Sequence, residues 1–311
     1  MTASTREPPP EVVAFGETML SVVAVGEPID RATTFHVTHG GAESNVCVGL
    51  SRLGLRAAWV GALGRDAAGD RIATALAREG LDLRWACRDT ARPTGLMLRD
   101  TLGTVRYYRA GSAASAGSPA DLGGVPIAEA RAVFTTGITA MIGETPGRAA
   151  VELLRLGREA GALTVVDVNL RDGLWGSDRA VELVTPLLAR ADVVFGGAHE
   201  LVAFAPGIAG RELARRIADL GPSEVVVKLG SRGACALDAG TGEWFEHAPE
   251  PGPDVDPIGA GDAFDAGYLS ARVRGRPIAE ALEEGAACGA AVAATVGDTE
   301  GFPARATTSY T

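Results

Sequence analysis

The chain has 311 residues and a net charge of −10, which suits one large α/β domain with its own core and argues against nucleic acid and anionic membranes as partners. Its four cysteines, Cys47, Cys87, Cys235 and Cys288, are scattered, with no C-x-x-C pair and no His cluster beside them. That argues against a disulfide framework or structural zinc and fits a reducing, cytoplasmic compartment.

Residues 1–10 lack an apolar signal-peptide core and end in three prolines, so they read as a disordered tail before a single domain over 11–311. From there β-branched runs alternate with helical periodicity. The spacing predicts a strand at Val12–Phe15, extended chain without a helix over Met19–Val37, a helix at Glu43–Leu53, a strand at Ala57–Val60 and a helix at Ala67–Arg78. Extended chain returns over Gly95–Arg109. Strands at Ala132–Thr135, Thr164–Val168, Asp192–Phe195 and Glu224–Leu229 then alternate with helices at Pro146–Glu159, Arg179–Ala189 and Arg211–Asp219. Helices at Asp262–Val273 and Ile278–Thr295 close the chain. No apolar run reaches membrane-spanning length; the nearest, Ala286–Val296, is built from small residues. This order predicts an α/β fold, a mostly parallel sheet with helices on both faces and ligands at the C-terminal strand ends. The two extended stretches, within about 18–38 and 94–110, read as a small β-sheet lid over those ends.

The segment Asp256-Pro257-Ile258-Gly259-Ala260-Gly261-Asp262 carries the chemistry. Proline and glycine forbid a helix upstream, and Phe264, Leu269 and Val273 recur with helical spacing downstream. A glycine turn opening a helix points backbone N–H groups at one spot and binds an anion there. Asp262, in the first turn, is either an N-cap or a base that takes a proton from an attacking hydroxyl while those amides hold a transferring phosphate. A second segment, Val225–Ala234, ends a strand in a glycine turn; its Lys228 is either solvated or within reach of a phosphate. No G-x-G-x-x-G follows the first strand, where Phe15-Gly16-Glu17-Thr18 stands, which disfavours a hydride-transferring dinucleotide enzyme.

These pieces, with Gly40-Gly41-Ala42-Glu43-Ser44-Asn45 and the Gly61–Asp66 turn, resemble the ribokinase-like (PfkB-type) carbohydrate kinases from about Val12 to Pro303. The resemblance implies a ribokinase-like, Rossmann-like domain with a β lid, ATP and Mg²⁺ as cofactors, and Asp262 as catalytic base; it leaves a monovalent cation open. The stretches 40–54, 107–115, 167–175 and 297–303 are most similar to 2-keto-3-deoxygluconate kinases, which implies phosphorylation of a sugar acid to its 6-phosphate. By that resemblance Gly40, Gly41, Asn45, Tyr107, Arg109, Arg171, Asp262 and Asp298 face the sugar. Asn169, Arg171, Lys228, Gly230, Gly233, Gly259, Ala260 and Gly261 face the nucleotide, and Glu200 helps place Mg²⁺ through water.

Alternation puts Tyr107 and Arg109 on one face of a lid strand, where Arg109 offers a planar fork to a carboxylate; the alternative is an exposed edge arginine. The alternative readings are a tight turn for Gly40 and Gly41, a capping and salt-bridge cluster for Asp167, Asn169 and Arg171, and a turn residue for Asp298. The pattern also departs from the family. Gly197 stands where Asn is common, Met97 where the keto-acid kinases carry tyrosine, and Gly285–Cys288 where an Asn near adenine is expected. Other readings are a kinase of fructose, ribose, a nucleoside or a deoxy-inositol derivative, and a non-catalytic sugar-acid or nucleotide sensor on the same scaffold. The lid's exposed face suits pairing with a second copy as a homodimer.

Overall fold

The computed structural model describes residues 8–170, 177–248 and 252–303. In chain order the strands are β1 (Val12–Phe15), β2 (Met19–Ala24), β3 (His36–Gly40), β4 (Ala57–Val60), β5 (Ala62–Gly64), β6 (Cys87–Asp89), β7 (Leu96–Asp100), β8 (Val105–Tyr108), β9 (Ala132–Thr136), β10 (Leu163–Asp167), β11 (Val193–Gly197), β12 (Glu224–Lys228), β13 (Ala234–Asp238) and β14 (Trp244–His247). The helices are α1 (Ala42–Arg52), α2 (Ala67–Arg78), α3 (Gly137–Met141), α4 (Glu144–Ala160), α5 (Ser177–Leu188), α6 (Ala198–Leu201), α7 (Gly210–Ala218), α8 (Ala260–Val273) and α9 (Ile278–Ala293).

The main sheet runs β14-β13-β12-β11-β10-β9-β1-β4. Its strands from β12 to β4 are parallel, and β13 and β14 extend it antiparallel. The parallel strands are buried on both faces, which is why they read as continuous apolar runs. Alternation splits their side chains between two cores. Val12, Ala14, Phe134, Val165 and Phe195 pack against α1, α2, α8 and α9. Val13, Phe15, Val133, Val166 and Val194 pack against α3, α4, α5 and α7. The chain reverses its direction of travel across the sheet between β1 and β9, the place where such folds open a crevice at the strand ends.

A separate four-stranded sheet, β3-β2-β7-β8, stands over that crevice. Paired residues share a face, so Met97 of β7 and its partner Tyr107 of β8 look toward the domain. Leu20, Val22, Leu96 and Leu98 fall on the outward face with Tyr108, which is exposed. β3 runs on to Gly40, past the extended stretch expected from the sequence, and delivers the chain directly into α1. All four cysteines are free. Among the described residues no helix is long and apolar enough to cross a membrane.

Candidate active site

The mouth of α8 follows from its glycines. Gly259 caps the helix with φ 87°, and a Cβ there would lie 2.2 Å from the carbonyl oxygen of Asp298, so no other residue fits without displacing that loop. Phe195 of β11 holds α8 on the sheet, edge-on to Phe264 and Tyr268 at 6.4 and 5.2 Å. Tyr268 donates to Glu224 at 2.7 Å. The helix therefore enters the crevice at a set angle, and Asp262 sits in its first turn, largely buried. Asn45 of α1 donates its Nδ2 to Asp262 Oδ2 at 2.8 Å, which orients the carboxylate.

A cavity of about 770 Å³ opens here between the lid and the strand ends. Gly259, Gly261 and Asp262 line it with Asn169, Glu200, Lys228, Gly230 and, from the lid, Met97 and Tyr107. Ala260 and Gly233 adjoin the same turns but do not line it. The fully solvated reading of Lys228 does not hold. Its ammonium lies 3.0 Å from both Asp167 and Asp265, and 5.9 Å above the Phe195 ring. Burial opposes its charge, but the two carboxylates prevail and hold its pKa above the usual lysine value. Burial and the Asp167 charge push Asp265 well up. Asn169 donates to the same Asp167 oxygen at 3.0 Å from a left-handed backbone, φ 41°, the one non-glycine positive φ among the described residues. Such a conformation is stored at functional sites. Asp167 Oδ1 and Asn169 Oδ1 are buried with no hydrogen-bond partner among the described residues. Glu200 accepts from the Gly197 amide at 2.6 Å, and the His199 ring fills the space a side chain at 197 would need. Among the described residues no three His, Cys, Asp or Glu side chains gather on one metal position, so these oxygens would reach a magnesium ion only through its water shell.

A second polar cluster lies under the lid. Arg109 is buried rather than exposed at an edge; it stacks on Tyr107 at 4.4 Å and pairs with Glu17 at 3.2 Å. Strand β8 ends at Tyr108, so Arg109 turns in beneath the ring. Burial raises the Glu17 pKa, opposed by Arg109 and by Ser112, which donates at 3.2 Å. Thr18 Oγ1, Ser21 Oγ, Asn45 Oδ1 and Arg109 Nη1 are buried without hydrogen-bond partners among the described residues. Native interiors leave few such atoms, and a ligand rich in hydroxyls would satisfy them. Gly40 lies against Asp298 and Met97, and a side chain on Gly41 would strike the Glu17 carbonyl, so these glycines set how closely the lid root approaches. Asp298 does not line the cavity; its carboxylate pairs with Arg99 at 3.0 Å. Arg171 lies outside the described residues.

Residues 9–305 match the pfkB family carbohydrate kinase pattern. The chain belongs to the pfkB family of carbohydrate kinases. It is therefore a phosphotransferase with an alcohol group as acceptor, on the ribokinase-like fold. It is 36% identical to a 2-dehydro-3-deoxygalactonokinase of Haloferax volcanii, over 93% of this chain and 92% of that one. It is 32% identical to a 2-dehydro-3-deoxygluconokinase of Bacillus subtilis, over 95% and 93%. A solved PfkB protein from Polaromonas sp. JS666 superposes with TM-score 0.83 at 35% identity, covering 96% of this chain and 98% of that one.

Four buried charged residues around the candidate site escaped the sequence reading: Glu17, Glu43, Arg99 and Asp265. The signal for Asp265 was a second acid one turn after Asp262 in the apolar part of α8, and for Arg99 a charge following the apolar run Leu96–Leu98. Glu43 is buried at the β1–β9 crevice, where Thr136 and Thr139 donate to its Oε1 at 2.7 and 2.6 Å. Burial lifts its pKa from 4.5 to about 7, against those two hydrogen bonds. The folded kinase thus keeps a proton that the unfolded chain releases near 4.5. The stability this contributes is complete below 4.5 and lost as pH rises through 7, a change of about 3 kcal/mol. Glu43→Gln should remove that loss. Urea midpoints at pH 5.5 and 8.5 are expected to diverge in the wild type and lie closer in the variant; equal slopes would refute the assignment.

Proposed function

We propose that the kinase transfers the γ-phosphoryl group of ATP to a hydroxyl of a sugar acid, most specifically 2-keto-3-deoxygluconate at its 6-hydroxyl, in the cytoplasm. The observation that carries this is the conjunction at the α8 mouth. A carboxylate oriented by Asn45 stands beside first-turn amides, and a buried lysine faces the same cavity. In the proposed reaction the acceptor hydroxyl gives its proton to Asp262 as its oxygen attacks the γ-phosphorus. The α8 amides and Lys228 take up charge on the transferring group. Asp167, Asn169 and Glu200 would hold Mg²⁺ through water, and the ion, when bound, screens the phosphate charges. The lid's Met97 and Tyr107 shut bulk water from the acceptor side.

The names of the similar kinases and the buried Arg109, with a donor still unpartnered, support the acid assignment. One observation favours a neutral sugar instead: Arg109 already faces the carboxylate of Glu17. The test is ADP formation across a panel of keto-deoxy acids, hexoses and ribose, repeated with Arg109→Ala. The acid reading expects KM for the acid to rise about ten-fold or more, the worth of a charged hydrogen bond, with kcat less affected. Faster turnover of neutral sugars by the wild type, with little change in the variant, would overturn it.

A further inference from the structure

We propose that Arg99 is a positioning residue that couples the lid to the phosphate-binding loop, so that an ordered lid and a competent anion site form together. The inference rests on the kinase reading above. Arg99 projects from lid strand β7 into the domain and is wholly buried. Its Nη1 donates to Asp256 Oδ2 at 2.8 Å and its Nη2 to Asp298 Oδ1 at 3.0 Å. These two carboxylates flank the mouth of α8. Asp256 begins the glycine loop and accepts from the amides of Ile258 at 3.3 Å and Gly297 at 3.2 Å. The Asp298 backbone packs against the capping Gly259, and its side chain against Gly40 at the lid root. One guanidinium therefore joins the lid strand to both segments that shape the anion site.

The chemistry explains why a charge stands there. A buried cation loses several kcal/mol of hydration, and apolar side chains in place of Arg99, Asp256 and Asp298 together would stabilise the fold as well or better. What an apolar residue cannot do is make the arrangement all-or-none. If the lid strand withdraws, two carboxylates lose their shared cation in a dry interior. If the glycine loop shifts, the lid loses both anchors. A planar guanidinium that gives one N–H to each carboxylate sets direction as well as distance, which a lysine ammonium does not reproduce. A sugar that orders the lid thereby favours the loop geometry that grips the nucleotide, and by linkage the nucleotide favours the sugar to the same degree.

The experiment measures that coupling by calorimetry: the Kd of a non-hydrolysable ATP analogue with Mg²⁺, with and without the panel's best sugar, in the wild type, Arg99→Lys and Arg99→Met. In the wild type the sugar is expected to tighten analogue binding about 5-fold or more, within the usual range of coupled sites. In Arg99→Lys, which keeps the charge, the factor is expected to fall toward one, with a higher KM for ATP at saturating sugar. Arg99→Met should behave alike, at a lower melting temperature. A wild type without coupling, or a full coupling factor in Arg99→Lys, overturns the proposal. Failure of the kinase reading looks different: no sugar then yields ADP with the wild type, and this inference falls with it.

Discussion

Asp262→Asn is expected to lower kcat by about 10²–10⁴-fold while leaving ATP affinity nearly unchanged. The amide keeps the volume of the carboxylate and its place beside Asn45, so the α8 turn and its N–H groups persist. What it loses is the capacity to take the acceptor's proton as the phosphoryl group moves. A base acts only in the transition state, so the loss should appear in kcat and kcat/KM together and little in KM. Coupled ADP assays, with calorimetry of ATP binding, check both halves. Full activity in the variant would remove the base assignment. Loss of ATP binding would mean that the substitution disturbs the loop rather than the proton transfer.

Lys228→Met is expected to be the most destabilising substitution near the site. It removes the cation shared by Asp167 and Asp265, whose carboxylates are almost wholly buried and 3.0 Å from the ammonium. Breaking a buried pair by deleting one partner costs about 3–5 kcal/mol, because the remaining charges stay in a dry interior. The melting temperature should drop by roughly 10 °C. The same change should raise KM for ATP, since the ammonium faces the cavity beside Gly261. Combining it with Asp265→Asn separates the two effects. The double variant should regain much of the stability, because one unpaired charge is gone, and none of the nucleotide affinity. Recovery of both would make Lys228 a purely structural cation.

The two expectations draw on different kinds of sequence information. The place of Asp262 was legible because it is local: proline and two glycines forbid helix before it, apolar spacing demands helix after it, and the proposed anion site is the boundary itself. The main-sheet strands were legible for a similar reason. Val12–Phe15 and Ala57–Val60 form as β1 and β4 with the expected bounds, because β-branched runs buried on both faces leave no other local solution. Lys228 was ambiguous, since its hairpin context says nothing of what lies across the sheet. Its partners Asp167 and Asp265 stand 61 and 37 residues away. Arg109 meets Tyr107 as expected, but from past the end of β8 rather than along it, and neither its burial nor its pairing with Glu17 was legible.

The sequence by itself determined the layered α/β architecture and the glycine turn that opens α8, where the base and anion site are proposed, because periodicity and turn chemistry act over a few residues. Only the tertiary structure decided which charges meet. Arg99 reaches Asp256 across 157 positions and Asp298 across 199, and Asn45 reaches Asp262 across 217. A charged side chain reads alike in sequence whether it ends in water or against a carboxylate. What separates the two outcomes is burial, where desolvation makes each such group depend on a partner that folding alone brings within 3 Å.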